Sequence, residues 1–393
     1  MLLDGVKVFG LLLAALNLGA QEPRLTREGP NSWVHTVKGE ASLTPQRRLA
    51  VVARGHIIVR GGSGQRITYK LVQRVHARTE QEANQLVGNG SLDDRTFGPS
   101  SRIYVEQRSS LNVGNELEIS VPRQMALVSV RSELGGVEIY DLDGSVDAGT
   151  PAGDIRADRI GGALSARAGG GHIILGTIGG LVECYTGAGS ITVENAMAGV
   201  KSCETGGGDL EVKQAGAPIV LANDGGNISV RKAAASVQAR AVSGLIQIGE
   251  AGGLVIADSQ GGSIQVGSAR GVRAESSQGT VRVRSASGPM TVSTALGNIL
   301  AELVAGARIQ DSLLAASSGD ITVMIPPNFP LSIMVTDDMG AYPRFVSEFP
   351  EVRRPETLGF TRAPVVAEGA INGGGPVLHI NAGTGAVYLR RSR

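Results

Sequence analysis

The sequence has 393 residues, a formal net charge of +1 and 56 glycines, and only 3% of its residues are aromatic. This near-neutral charge gives no bulk attraction to nucleic acid or to an anionic membrane, and a hydrophobic content of 42% excludes global disorder. So few aromatic residues favour tight turns and a thin interior of small side chains over a large aromatic core.

The first residues predict a secretory signal peptide over 1–20. Lys7 precedes an apolar run at 8–16, and the small residues Gly19 and Ala20 follow it, which is the order found in such peptides. The run is shorter than the roughly 20 apolar residues that a membrane span needs. We therefore expect an exported protein, located in the periplasm, on the outer cell surface or secreted, with no integral membrane span once the peptide is removed.

Residues 21–116 predict an irregular, β-rich N-terminal cap. Alternating apolar residues indicate strands at 49–53, 56–59, 67–72 and 102–106, without a regular spacing. Between them, Thr79 and Glu82 form a capping box, and Ala83, Leu86 and Val87 give the following turns an apolar face. This pattern predicts a short helix over 79–87 that covers the open end of the next domain, followed by a polar linker at 88–101.

From residue 117 to 335 the chain repeats itself about every 18 residues. Each unit has an anchor residue, which is glycine in all but the first unit, and anchors are 17 to 19 residues apart with one interval of 22. The anchors are Leu117, Gly135, Gly153, Gly171, Gly189, Gly208, Gly226, Gly244, Gly262, Gly279, Gly297 and Gly319. A fixed period of this length is typical of solenoids, in which neighbouring repeats stack on each other.

Four apolar columns accompany the anchors. Apolar residues stand two and four positions after each anchor, as Ile228 and Val230 do after Gly226. A second pair stands seven and five positions before the next anchor, as Ile219 and Leu221 do. Because alternation with period two predicts strands with one buried face, each unit is expected to form one coil of two short strands, with glycine-rich corners that permit positive φ. The predicted fold class is all-β, a right-handed parallel β-solenoid.

Three other solenoids fit this pattern less well. A hexapeptide β-helix places inward residues every six positions, whereas here they fall 2, 4, 11 and 13 positions after the anchor. A calcium-binding β-roll needs recurring aspartates, but only Asp154, Asp209 and Asp320 follow an anchor. Pectinase-type β-helices have longer and less regular coils. We therefore expect no metal and no other cofactor.

Beyond residue 335 the pattern stops and then returns. Residues 336–375 predict an irregular excursion, which contains Phe345, Phe349 and Phe360. Around Gly385 the four columns recur, as Leu378, Ile380, Val387 and Leu389. Residues 376–393 are therefore expected to form a C-terminal closing coil, so that both ends of the stack are capped.

The sequence offers no catalytic motif in a suitable context. Its glycine runs lead into strands, so they cannot bind phosphate at a helix N-terminus, and its five histidines are scattered. Asp258 and Glu275 share an outward column on adjacent coils, as the paired acids of a glycosidase would. Arg240 stands in the same column one coil earlier, however, and such a charge ladder is typical of a solvated face. We therefore expect no catalytic residue.

One group of charges is a candidate binding site. The residues are Arg270, Arg273, Arg282 and Arg284, on neighbouring coils. Together they form a candidate patch for an anionic ligand such as an acidic glycan, and a plain charged surface is the alternative interpretation.

The two cysteines allow two interpretations. Counting back from Gly208 places Cys203 in the same inward column as Cys184, where a disulfide would fit. Counting forward from Val200 turns Cys203 outward. The interval before Gly208 is 19 residues, so this coil contains one extra residue, and the glycine run 206–208 would accommodate it most easily. We therefore expect two free thiols, with Cys184 buried and Cys203 exposed.

Three features together resemble the bacterial putative-adhesin family. They are LEISVPRQMALVSV from Leu117, the repeat starts GDI, GSI and GNI, and INGGGPVLHINAGTGAVYL from Ile371. The resemblance covers residues 49–393 and implies an exported or envelope-attached β-solenoid. Members of this family are mostly of unknown function, so the resemblance implies no catalytic or ligand-binding residues.

These observations predict an exported, non-enzymatic β-solenoid protein of the cell envelope with an adhesin-like binding or structural role. Its expected partner is a cell-surface glycan or an envelope protein, and not nucleic acid. Two alternatives stay open, a polysaccharide-processing β-helix enzyme (lyase or hydrolase) and a self-assembling envelope scaffold. An enzyme would be expected to present aromatic residues, but Tyr140 and Tyr185 are the only ones between residues 117 and 323. A scaffold would need an uncapped end.

Overall fold

The apolar columns form the facing sides of two long β-sheets. The structure, a computed structural model, describes residues 24–107, 112–337, 343–354 and 365–392. The expected signal peptide at 1–20 and part of the excursion expected at 336–375 lie outside the described residues. Each sheet contains 18 strands.

The N-terminal region contains nine strands and one helix. The strands are Arg24–Gly29 (β1), Ser32–Ala41 (β2), Arg48–Ala53 (β3), His56–Gly62 (β4), Ile67–His76 (β5), Gly90–Asp93 (β6), Thr96–Phe97 (β7), Ser100–Gln107 (β8) and Val113–Pro122 (β9), and the helix is Glu80–Gly88 (α1). The four strands expected from alternation are therefore present. The segment expected to be a polar linker contains β6 and β7, which pair with β8.

The repeats form strands β10 to β31, two per coil. They are Leu127–Ser132 (β10), Val137–Leu142 (β11), Ser145–Thr150 (β12), Ile155–Ile160 (β13), Leu164–Ala168 (β14), Ile173–Ile178 (β15), Val182–Thr186 (β16), Ile191–Ala196 (β17), Val200–Thr205 (β18), Leu210–Ala215 (β19), Ile219–Asn223 (β20), Ile228–Ala233 (β21), Val237–Ala241 (β22), Ile246–Ala251 (β23), Leu254–Ser259 (β24), Ile264–Ala269 (β25), Gly271–Ser276 (β26), Val281–Ala286 (β27), Met290–Thr294 (β28), Ile299–Glu302 (β29), Ser312–Ala316 (β30) and Ile321–Ile325 (β31).

Five further strands complete the C-terminal end. They are Leu331–Thr336 (β32), Phe345–Ser347 (β33), Val365–Ile371 (β34), Val377–Ala382 (β35) and Val387–Arg391 (β36).

Successive strands of the repeat alternate between the two sheets. Sheet A runs in space β1, β2, β5, β9, β4, then the odd-numbered strands from β11 to β31, and finally β36 and β33. Sheet B starts with β6 and β7 beside β8, continues through β3 and the even-numbered strands from β10 to β30, and ends with β35, β32 and β34. The repeat strands pair in parallel, which confirms the predicted β-solenoid.

The four predicted columns form the core. Ile228 and Val230 of sheet A and Ile219 and Leu221 of sheet B are each at most 1% exposed. A third inward column in sheet A, seven residues after each anchor from Gly135 to Gly279, was not predicted. Its members are Leu142, Ile160, Ile178, Ala196, Ala215, Ala233, Ala251, Ala269 and Ala286, all buried. A search for apolar residues at every second position does not find this column, because two residues, not one, separate it from the preceding inward position.

The anchor glycines are required mainly by close packing between coils. A Cβ atom on Gly171 would lie well under 3.0 Å from the carbonyl oxygen of Gly153, the preceding anchor, and one on Gly189 would meet Gly171 in the same way. Positive φ, which we expected at glycine-rich corners such as 161–162, 179–180 and 252–253, occurs at none of these glycines, and among the predicted anchors only at Gly135, Gly244 and Gly319. Neighbouring coils therefore approach too closely at this corner for any side chain.

A ladder of buried polar side chains crosses the same corner. These residues stand three positions before an anchor: Ser132, Thr150, Thr186, Thr205, Asn223, Ser259, Ser276 and Thr294. The hydroxyl of Thr186, for example, donates to the carbonyl of Gly171 (2.7 Å) and accepts from the amide of Gly189 (3.3 Å). Each such side chain thus satisfies backbone groups that the sharp corner would leave without partners.

At both ends, one coil inserts between two others. The coil β3–β4 lies between β8–β9 and β10–β11. Consequently Ile57 pairs with both Leu117 and Val137. Because Val137 stands two residues after the anchor Gly135, Leu117 occupies the same position of its own coil. Our assignment of Leu117 as an anchor was therefore wrong by two residues. The coil β35–β36 follows the predicted pattern around Gly385, but it lies between β30–β31 and β32–β33. The coil that we expected at the end of the stack is therefore the second-to-last coil, and β32–β33 lies beyond it.

The helix packs beside the solenoid core. Thr79 caps it by accepting from the amide of Glu82 (3.2 Å), as predicted. Ala83 is fully buried, but it belongs to a small cluster with Trp33, Val75 and Ala77, separate from the main core. The helix therefore does not cover the open end as we expected. There, antiparallel β5 and β2 extend sheet A, and their inward residues join the core.

Candidate ligand-binding site

An extra residue in β18 reshapes the outer face of sheet B. Val182 pairs with Val200, but the next residue, Glu183, pairs with Ser202, so Lys201 has no counterpart on β16. This is a β-bulge, in which one strand carries one residue more than its neighbour. It accounts for the 19-residue interval between anchors.

The bulge turns Cys203 into the core, and a disulfide joins it to Cys184. The two residues pair across β16 and β18 with Cα atoms 4.5 Å apart, and Cys203 is fully buried. Our expectation of two free thiols with Cys203 exposed was therefore wrong. The extra residue lies at Lys201, before Cys203, and not in the glycine run 206–208, so the backward count from Gly208 holds.

A shallow depression of about 250 Å³ lies over this disulfide on the outer face of sheet B. Its lining consists of Ala166, Arg167, Glu183, Cys184, Tyr185, Ser202 and Glu204. Ala166 and Cys184 belong to an inward column and are almost fully buried, so they form the apolar base. The outward side chains form the rim. Tyr185 stands at its centre, because its strand neighbours are Arg167 on one side and Glu204 on the other.

Hydrogen bonds hold the rim in place. The Lys201 ammonium contacts the Glu183 carboxylate (2.5 Å), and the Ser202 hydroxyl donates to Glu204 (2.8 Å). Arg167 donates to Ser165 (2.7 Å). The hydrogen bond from Lys201 is the main cause that lowers the pKa of Glu183, so Glu183 is ionised at neutral pH. The rim therefore contains fixed donors and acceptors.

The ring of Tyr185 is available for contact. Its side chain is 49% exposed. Among the described aromatic residues, Phe97 is the only other exposed one. The guanidinium carbon of Arg102 lies 5.9 Å from the centroid of its ring. Arg60 lies in the same way over Tyr140, the other aromatic residue of the repeats. Within the described residues no arginine covers Tyr185, and its hydroxyl makes no hydrogen bond.

The four arginines predicted as one patch lie on different sides of the molecule. Arg273 is on the outer face of sheet B, in β26, while Arg282 and Arg284 are on the outer face of sheet A, in β27. Arg270 lies at the corner between the sheets. Because the outer faces of two packed sheets point apart, only Arg282 and Arg284 are brought together. Binding of an anionic ligand there stays a prediction.

The carboxylates that we weighed as paired acids are part of charge ladders. Asp258 and Glu275 are strand neighbours, as predicted, and Arg240 contacts Asp258 at 3.4 Å. In sheet A, Lys213 contacts Glu194 at 2.7 Å. Among the described residues, no group of three or more His, Cys, Asp or Glu side chains has the geometry of a metal site.

The polar residues that follow the anchors have a structural task. Asp154 accepts from the amide of His172 (2.8 Å), and His172 Nδ1 accepts from the amide of Ser190 (3.0 Å). Asp209 accepts from the amide of Asn227 in the same way (2.8 Å). These side chains therefore connect successive coils by hydrogen bonds at the corner.

Sequence reasoning missed the depression. Two signals pointed to it, the single 19-residue interval and the presence of Tyr185 in the region 117–323, which contains only one other aromatic residue. Neither signal placed Glu204 beside Tyr185, because the position of the bulge decides which residues of β18 share a face.

No protein-family model matches the chain, and neither does any curated protein. Similar solved structures include a putative cell adhesion protein from Clostridium sporogenes (9% identity, 91% of this chain and 100% of that chain, TM-score 0.19) and a putative adhesin from Bacteroides fragilis (12% identity, 74% and 97%, TM-score 0.28). A third is a putative lipid binding protein from Parabacteroides distasonis (12% identity, 74% and 96%, TM-score 0.29).

The fold is established by the parallel strand pairings. No helix within the described residues is long and apolar enough to cross a membrane.

Proposed function

We propose that this protein is an exported, non-enzymatic β-solenoid of the cell envelope with an adhesin-like binding role. The observation that carries the proposal is the disulfide between Cys184 and Cys203 on adjacent coils. Disulfides persist in the periplasm, on cell surfaces and outside cells, and are rare in the cytosol. The predicted signal peptide at 1–20 supports the same location.

The arrangement of polar side chains favours binding over catalysis. Two of the outward acids, Asp258 and Glu194, stand beside the basic residues Arg240 and Lys213. A lyase or hydrolase would need a carboxyl group held free to exchange a proton with the substrate. The outer face of sheet B instead offers a shallow depression with an uncovered aromatic ring, which suits recognition without chemistry.

Export is tested on protein isolated from the native host. Cell fractionation followed by mass spectrometry should find a mature chain that starts near Gln21 in the envelope or the medium. After the protein is unfolded, both cysteines should resist alkylation until a reductant is added. An intact Met1 in a cytosolic fraction, with two cysteines that alkylate readily, would contradict the proposal.

Binding is tested with the purified mature protein. Labelled protein should be retained by envelope preparations from its own host or by a cell-surface array. A lyase and glycosidase assay on the same sample should show no turnover. Reproducible cleavage of a polysaccharide would replace the binding role with the enzymatic alternative.

A further inference from the structure

We propose that the depression around Tyr185 is a binding subsite for a neutral glycan. This inference rests on the proposed binding function and adds the site and the chemical class of the ligand. It depends on three properties of the depression, which are the uncovered ring, the mixed polar rim and the limited volume.

The ring supplies an apolar platform. A pyranose has one face lined with C–H groups and carries hydroxyls around its edge, so it can lie on an aromatic ring while its edge stays polar. Tyr185 is 49% exposed, whereas arginine already lies over the exposed ring of Phe97. Tyrosine also loses little conformational freedom on binding, because it has only two side-chain torsions. The free face of Tyr185 is therefore suited to stacking.

The rim matches the hydroxyls of a neutral sugar. Arg167 offers donors, Glu183 and Glu204 offer acceptors, and the Tyr185 hydroxyl offers either. Sugar hydroxyls need both kinds of partner. An anionic ligand would meet the two carboxylates, and a cationic one would meet Arg167 and Lys201, which contacts Glu183. Arg167, Glu183 and Glu204 line the depression and Lys201 pairs with Glu183, so positive and negative groups are equal in number and a neutral ligand meets no net charge.

The size of the depression limits what it holds. Its volume of about 250 Å³ is below the range of about 300–1,000 Å³ typical of sites that enclose a whole small molecule. It therefore accommodates about one sugar unit, and the rest of a longer glycan would lie on the open outer face of sheet B. We accordingly expect weak binding of free monosaccharides and stronger binding of polymers.

The experiment uses the mature, oxidised protein and three soluble neutral polysaccharides, namely mannan, mixed-linkage β-glucan and arabinoxylan. Binding is measured by affinity electrophoresis and by titration calorimetry, with polygalacturonate as the anionic comparison. We expect the wild-type protein to bind at least one neutral polymer. Tyr185→Ala should weaken that binding about tenfold or more, the equivalent of about 1.4 kcal/mol. Tyr185→Phe should stay within about threefold, because it keeps the stacking face.

Phe97→Ala is the matched control, since it removes another exposed ring outside the depression, and it should bind as the wild type does. All three variants should have wild-type melting temperatures, because both rings are exposed. Equal binding by Tyr185→Ala and wild type, or no wild-type binding to any of the neutral polymers, overturns the inference. If the wild-type protein is still retained by envelope preparations in that case, the proposed function stands without this subsite, and if it is not retained, both fail.

Discussion

Cys184 and Cys203 lie directly opposite each other on β16 and β18, with Cα atoms 4.5 Å apart. Their separation in sequence is 19 residues, one more than the usual repeat, and the bulge at Lys201 absorbs the difference. The disulfide thereby locks the pairing of these two strands two residues beyond the irregularity. The coil that departs from the common length is thus the one that a covalent bond holds in place.

Loss of this bond should destabilise the protein measurably. Closing a loop of this length is worth about 3 kcal/mol in the unfolded-state entropy model, so Cys184→Ala/Cys203→Ala should lower the free energy of unfolding by about that amount. Denaturant unfolding of the double variant, with and without reductant, measures it. Thiol titration provides the independent check. Two reactive thiols in unfolded but unreduced wild-type protein would show that the bond is absent.

Two adjacent glycines should respond differently to the same substitution. A Cβ on Gly171 would lie against the backbone of Gly153 in the preceding coil, while one on Gly170 would meet nothing within 4 Å. Gly171→Ala should therefore cost about 2 kcal/mol or more through forced separation of the coils. Gly170→Ala should stay within about 0.5 kcal/mol of wild type. Equal melting temperatures of the two variants would refute close packing as the reason for the anchor glycines.

The apolar columns predict a contrast between neighbouring positions of β21. Ile228 is fully buried, whereas Ser229 points outward and is partly exposed. Ile228→Asp should cost several kcal/mol because it buries an unpaired charge between coils, and Ser229→Asp should cost little. Thermal unfolding of both variants decides the matter. If Ser229→Asp proved the more damaging change, the assignment of the two faces would be reversed.

The polar ladder at the corner predicts an effect of a single hydroxyl. Thr186→Val keeps the shape of the side chain but leaves the carbonyl of Gly171 and the amide of Gly189 without their partner. The expected loss of stability is about 1–3 kcal/mol. Thr186→Ser should recover most of it. Thr192→Val, on the outer face of β17, is the matched control and should be nearly neutral, and a similar loss there would point to threonine content in general.

One ion pair predicts a dependence on pH. Arg159 donates two hydrogen bonds to Asp141, at 2.6 and 2.9 Å, and they hold the pKa of Asp141 below its ordinary value. Because the folded pKa is the lower one, the pair stabilises the protein above the ordinary aspartate pKa, and this contribution is lost as the pH falls through the lowered value. NMR titration of the Asp141 carboxyl measures the shift. Arg159→Gln should move the pKa back up, while Arg156→Gln should leave it unchanged. A titration of Asp141 that Arg159→Gln does not alter would remove the pair as the cause.

The repeat was predictable from the sequence because its signal is local. Ile228 and Val230 stand at fixed distances from Gly226, and period-two alternation identifies the buried face without any knowledge of what packs against it. The insertion of β3–β4 and of β35–β36 between other coils was not predictable in this way. A short stretch of sequence does not indicate which distant strand lies next to Ile57.

The candidate site was likewise predictable from the sequence only in part. The sequence marked Tyr185 as unusual, and the regular pairing of β14 with β16 places Arg167 beside it, but whether Glu204 is its other neighbour depends on where the extra residue enters β18. We placed that residue in the glycine run because glycine tolerates a corner insertion, whereas the strand itself accommodates it at Lys201. The arginines show that closeness in sequence does not imply a shared face, because Arg273 and Arg282 are close in sequence yet lie on opposite sheets.

The two ends of the stack differ in kind from its middle. Between β12 and β29, every strand hydrogen-bonds only to the coil before it and the coil after it, while each end is held by a coil inserted between partners far away in the chain. A whole unit of about 18 residues can therefore be gained or lost from the middle with every remaining neighbour relation preserved. Variants that differ by whole units would form a graded series of rods, each about 4.8 Å longer than the last, with identical terminations.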